Sequence, residues 1–96
     1  MMTIEEIKKR VAPIALAYGV PKISLFGSAA REEMDSNSDI DLIIEKGELR
    51  GFAFGGFCND LERELGSKVD VITYKQLETS FLCKHVLRDE VVVYER

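Results

Sequence analysis

The residues with the most chemistry to offer in this 96-residue sequence are few and acidic: Asp39 and Asp41, one residue apart in DIDLIIE, and Asp70, flanked by valines in KVDVIT. Gly27 and Ser28 end an apolar stretch and are followed by ten residues before Asp39. Alternate side chains of an extended segment share a face, so Asp39 and Asp41 point one way while Ile40 and Leu42 point into the core. If KVDVIT lies beside DIDLIIE in the register that buries Val69 and Val71 with Ile40 and Leu42, Asp70 joins the same face. Like charges ~4 Å apart repel by about 4 kcal/mol per pair at an effective dielectric of about 20, so three such carboxylates call for a cation. Oxygen-only ligation suits Mg²⁺, which commonly uses a few carboxylates together with substrate phosphates. The implied substrate is a nucleoside triphosphate. Gly27 lets the backbone approach closely, Ser28 supplies a hydroxyl, and free amides at a helix start favour phosphate oxygens, so this pair is expected to cradle phosphate opposite the metal.

These groups must be positioned by short elements that the hydrophobic pattern marks out. Thr3 and Glu6 form a capping-box pattern, and Ile4, Ile7, Val11, Ile14 and Tyr18 follow at helical spacing until Gly19, Val20 and Pro21. Pro13 is expected to kink or divide that helix. Residues 22–26 read as a strand running into the Gly27–Ser28 turn, and residues 39–45 as a second strand closed by Lys46 and Gly47. Phe54, Phe57, Cys58, Leu61 and Leu65 line one face of a helix over residues 52–65, with Gly66 as its stop and Gly55 and Gly56 weakening its first turns. A third strand over 68–73, a helix over 76–88 and a β-prone tail over 91–94 complete the chain. Alternating strands and helices predict an α/β domain.

Ninety-six residues suit one compact unit, residues 1–96, and a hydrophobic fraction of 46% against 31% charged residues argues for a folded core over disorder. A formal charge of −4 with scattered Lys and Arg disfavours binding to nucleic acid backbones. No apolar run is long enough to span a membrane, and Cys58 and Cys83 show neither disulfide nor zinc spacing, so a cytoplasmic protein is expected. Both cysteines read as small core hydrophobes, His85 as structural, and residues 35–38 as a polar loop. Phe52, Phe54, Phe57 and Phe81 read mainly as core, with some available to a partner-binding patch.

The run LFGSAAREEMDSNSDIDLIIE, followed by KVDVIT, resembles the minimal nucleotidyltransferase (MNT) domains of the polymerase-β superfamily, the MntA-like antitoxins encoded beside HEPN toxins. The family pattern of Gly-Ser, ten residues and Asp-x-Asp falls on Gly27, Ser28, Asp39 and Asp41 without a gap. The resemblance covers almost the whole chain. It implies a nucleotidyltransferase fold, a small mixed β-sheet flanked by helices, with ATP as AMP donor and two Mg²⁺ ions on Asp39, Asp41 and Asp70. It also implies transfer of AMP onto a tyrosine of a cognate HEPN RNase toxin, with Asp70 available as general base and Arg31 as a phosphate contact. Family members often carry Ala-Arg-Gly-Glu after the Gly-Ser pair; here Ala30 and Arg31 precede Glu32 and Glu33, a departure that bears on Arg31. Larger nucleotidyltransferases append an acceptor-binding domain, so here a bound toxin, or a second copy of the chain, is expected to complete the acceptor side. Two alternatives stand beside this reading: transfer to a small molecule such as an aminoglycoside, and neutralisation of a toxin by binding alone.

Overall fold

A computed structural model describes residues 3–27, 39–78 and 90–96. Thr3 opens the first helix as its spacing to Glu6 predicts: its Oγ1 accepts the Glu6 amide at 3.1 Å. Helix α1 then runs Ile4–Tyr18, buries Ile7, Val11 and Ala15, and is closed by Gly19 in the left-handed conformation. Pro13 does not divide it. The ring sits on the exposed side of the helix, where the Lys9 carbonyl that loses its amide partner can turn to water.

Strand β1 (Lys22–Phe26) and strand β2 (Ile40–Glu45) are followed by helix α2 (Phe52–Leu65), strand β3 (Val69–Thr73), the short helix α3 (Tyr74–Glu78) and strand β4 (Val91–Glu95). The sheet order is β3-β2-β1-β4. Strand β1 is antiparallel to both β2 and β4, whereas β2 and β3 are parallel, with α2 as the crossover that a parallel pair requires. This is the α/β domain that the hydrophobic pattern predicts, built on the small mixed sheet that the family resemblance implies.

Helices α1 and α2 pack on one face of the sheet. There Ile7, Val11 and Ala15 of α1 and Phe57, Leu61 and Leu65 of α2 meet Ile23, Leu25, Ile40, Leu42, Ile44 and Val93. Tyr18 joins the two helices: its ring meets Phe57 edge-on at 5.6 Å, and its hydroxyl donates to Asp60 Oδ2 at 2.7 Å. Two of the phenylalanines depart from a simple core assignment. Phe57 is fully buried, but Phe52, the first residue of α2, is fully exposed, and Phe54 is only partly buried at the rim.

The two mid-helix glycines differ in their surroundings. A Cβ on Gly56 would stand 3.0 Å from Tyr18 Oη, whereas one on Gly55 would meet nothing within 4 Å. Gly55→Ala is therefore expected to raise stability by roughly 0.5–1 kcal/mol, the helix-propensity difference, and Gly56→Ala to gain less or lose. Chemical denaturation of the two variants side by side checks this.

The helix predicted over residues 76–88 begins earlier than expected. Thr73 Oγ1 accepts the Gln76 amide at 3.1 Å and Gln76 Oε1 accepts the Thr73 amide at 3.0 Å, a reciprocal capping box that starts α3 at Tyr74. The rest of that predicted helix, with Phe81, Cys83 and His85, lies outside the described residues, as does the predicted polar loop over 35–38.

Candidate active site

The sheet face away from α1 and α2 carries the site. Leu25 and Leu42 point to the helices, so Phe26 and Asp41, paired across β1 and β2, point the other way. On the other side of β2 the parallel register sets Ile40 against Val69, Asp41 against Asp70 and Leu42 against Val71. Val69 and Val71 pack on the core, which fixes Asp70 on the opposite face beside Asp41. A slip of one residue would turn an aspartate into the core, and this is why the hydrophobic partners set the position of the charged ones.

Asp41 is half-buried, and its carboxyl group is held above the ordinary carboxylate range. Burial is the largest cause, followed by the charge of Asp70, a hydrogen bond with Asp70, and the charge of Asp39. Two carboxylates are thus in contact, and a third is near enough to be felt. Asp39 falls just before β2 and is exposed, whereas the sequence predicts a strand that begins at 39. Among the described residues no three His, Cys, Asp or Glu side chains stand close enough together to hold an ion as they are. The structure therefore pairs Asp41 with Asp70 and leaves Asp39 at the rim.

Gly27 lies directly against Asp41. Its φ is +64°, and a Cβ built on it would stand 2.8 Å from Asp41 Oδ2. The absent side chain is what keeps that oxygen open toward the turn at the end of β1. Ser28 and Arg31 lie outside the described residues.

One group on this face is not marked by the hydrophobic pattern. Ser24 is fully buried in the middle strand and sits 2.9 Å from Tyr74 Oη. The Tyr74 hydroxyl donates to Glu90, so the Ser24 hydroxyl supplies the proton of the other bond. Burial first, and then the hydrogen bond to Glu90, push the Tyr74 hydroxyl well above its ordinary value. The amine of Lys22 lies 5.0 Å from the centre of the same ring. These contacts tie the end of β3, four residues beyond Asp70, to β1 and to the start of β4. A serine between Ile23 and Leu25 is the one signal the sequence offers for them. Cys58, by contrast, fits its expected role: it is partly buried against the core, and burial, then the charge of Glu62, raises its thiol.

The four-stranded mixed sheet thus carries paired aspartates on adjacent strands, beside a glycine turn that leaves a carboxylate oxygen open. Residues 5–96 match the family described as polymerase beta, nucleotidyltransferase, and the chain belongs to that family. It is 43% identical over 77 residues to a Methanocaldococcus jannaschii protein named provisionally as a protein adenylyltransferase, with 79% of this chain and 83% of that protein covered. It is 32% identical over 98 residues to the protein adenylyltransferase MntA of Thermococcus cleftensis, with 97% and 98% covered. A solved structure described provisionally as a minimal nucleotidyltransferase superposes with a TM-score of 0.76 at 29% identity, covering 94% of this chain and 95% of that one. The fold is also shared with one chain in the structure of a tri-AMPylated Shewanella oneidensis HEPN toxin in complex with MNT antitoxin, at a TM-score of 0.67 and 19% identity, over 98% of this chain and 74% of that one.

Proposed function

We propose that this chain is a protein adenylyltransferase acting as an antitoxin, which moves AMP from ATP onto a tyrosine of a cognate HEPN RNase toxin in the cytoplasm and so neutralises it. The observation that carries the reading is the contact of the half-buried Asp41 with the exposed Asp70 beside Gly27, since two carboxylates in contact repel each other until a cation arrives. The relatives named above support protein as the acceptor, and the shared fold supports a HEPN toxin as the partner.

The donor set is all oxygen and fits a hard divalent ion. Asp39, Asp41 and Asp70 would hold Mg²⁺, two ions in the favoured reading, and bound metal would neutralise triphosphate charge and make the acceptor hydroxyl easier to ionise. The chain's own residues do the rest. The backbone at Gly27 and the Ser28 hydroxyl grip the triphosphate tail, with Arg31 as a further phosphate contact. The toxin's tyrosine oxygen attacks the α-phosphorus in line, the bond to the departing pyrophosphate breaks, and Asp70 accepts the phenolic proton. A free tyrosine has a pKa of about 10, so only about one in a thousand is ionised at neutral pH and a base at hand matters.

Incubating the chain with its co-expressed HEPN protein, Mg²⁺ and ATP labelled in the α-phosphate tests the proposal. Label on a toxin tyrosine, located by mass spectrometry and lost with chelator, is the expected result. Label on a small molecule only, or neutralisation without label, would reject it.

A further inference from the structure

Away from the aspartates, on the helix side of the sheet, a groove of about 570 Å³ lies along the outer edge of β3. Val71 and Phe54 form its apolar part, and Lys46 and Lys75 stand at its rim. The edge above it is unevenly protected. Ile40 N–H bonds the Lys68 carbonyl at 2.9 Å, so in the parallel ladder Lys68, Asp70 and Ile72 turn their backbone groups to β2, and Val69, Val71 and Thr73 turn theirs outward. The outward amide of Val69 is taken by Glu62 Oε2 at 3.1 Å, and that of Thr73 by Gln76 Oε1 at 3.0 Å. Among the described residues the amide and carbonyl of Val71, between them, are given no such cover, and they face the groove.

The charges around it are also one-sided. Lys46 and Lys75 are exposed and form no ion pair among the described residues. Glu45 borders the groove, but its side chain belongs to the other face, in register with Lys22 and near enough to Tyr74 to act on its hydroxyl. An extended segment laid on this edge would pair with Val71 through two backbone hydrogen bonds, place one apolar side chain against Phe54, and offer carboxylates to the two lysines.

We infer that this groove docks an extended, acidic segment of the partner protein, holding the partner at a surface separate from the catalytic carboxylates. The inference rests on the toxin-modifying reading above, and its test separates the two. In the double variant K46E/K75E, both substitutions fall on exposed side chains, so the fold should persist; a melting curve verifies it. Affinity for the co-expressed HEPN protein, by calorimetry, is expected to fall about tenfold or more, as reversal of two rim charges against an acidic segment implies, with a higher KM for that protein. The upward shift in Tm on adding Mg²⁺ and ATP should be the same as in the parent chain. Phe54→Ser supplies a second arm and is expected to weaken the partner without altering the nucleotide-induced shift. Partner affinity within twofold of the parent in both variants would overturn the docking site. Failure of Mg²⁺ and ATP to shift the parent's Tm would instead reject the enzymatic reading and leave the partner affinities to decide the groove.

Discussion

Asp41→Asn is expected to abolish AMP transfer while making the metal-free protein more stable at neutral pH. The two effects have one cause. In the folded chain the Asp41 carboxyl is raised from its ordinary value of 3.8 by burial, by Asp70 and by Asp39. Its folded value therefore lies above its unfolded one, and the folded state binds more protons in the window between them. Stability falls as pH rises through that window, and the penalty is fully present at neutral pH. Asparagine keeps the shape and offers an amide N–H to the Asp70 carboxylate but removes the charge, so the penalty disappears. Thermal melts in chelator should give a higher Tm for the variant at pH 7 and little difference at pH values below 3.8, where Asp41 is protonated in both states. Catalysis moves the other way. Loss of a charged ligand facing the triphosphate is expected to cost at least about a hundred- to a thousandfold in rate, by analogy with the removal of single electrostatic contacts in other active sites. The double Asp39→Asn, Asp41→Asn variant should have no measurable transfer. For the parent chain, Mg²⁺ must compete with the proton on Asp41, so its apparent affinity should weaken as pH falls toward and through the raised value. A variant that keeps full transfer, or a Tm in chelator that is lower at pH 7, would remove Asp41 from the proposed role.

Once β3 is taken to lie beside β2, the shared face of Asp41 and Asp70 is legible in the amino-acid sequence, while the pairing itself and the exact register come from the structure. Val69 and Val71 have to be buried with Ile40 and Leu42, and burying them leaves a single face for the aspartates. Other features depend on contacts between residues far apart in the chain, and no periodicity carries those. The bond between Ser24 and Tyr74 spans fifty positions, and the one between Tyr18 and Asp60 spans forty-two. The start of α3 is readable in principle, because Thr73 and Gln76 have capping-box spacing, but the apolar periodicity is stronger in the residues that follow. Pro13 shows a rule overruled by placement: the same residue on the buried side of α1 would leave an unsatisfied carbonyl in the core, and on the outer side it does not. Phe52 shows the limit of composition, since an aromatic residue counted toward a core can equally stand at the exposed first position of a helix.

Gly27→Ala should damage the site through a single methyl group. Two independent penalties meet at this residue. The backbone there has φ +64°, a left-handed conformation that any L side chain adopts at a cost of roughly 1–2 kcal/mol. The new Cβ would also stand 2.8 Å from Asp41 Oδ2, closer than nonbonded carbon and oxygen can rest. Relief requires that the turn move away from β2 or that the Asp41 carboxyl swing away from its present place. Either movement separates the groups proposed to grip the triphosphate from the carboxylate proposed to face it. Misplacement of reacting groups by about 1 Å can lower a rate by ~10²-fold, so transfer is expected to drop by about that factor with a smaller loss of stability. The comparison with Gly55→Ala isolates the cause: the same methyl group, added where nothing lies within 4 Å and the helix favours alanine, should leave transfer unchanged and raise the midpoint of denaturation. If Gly27→Ala transferred AMP at the parental rate, the close approach of the turn to Asp41 would have no catalytic meaning, and the phosphate-gripping role of residue 27 would have to be given up.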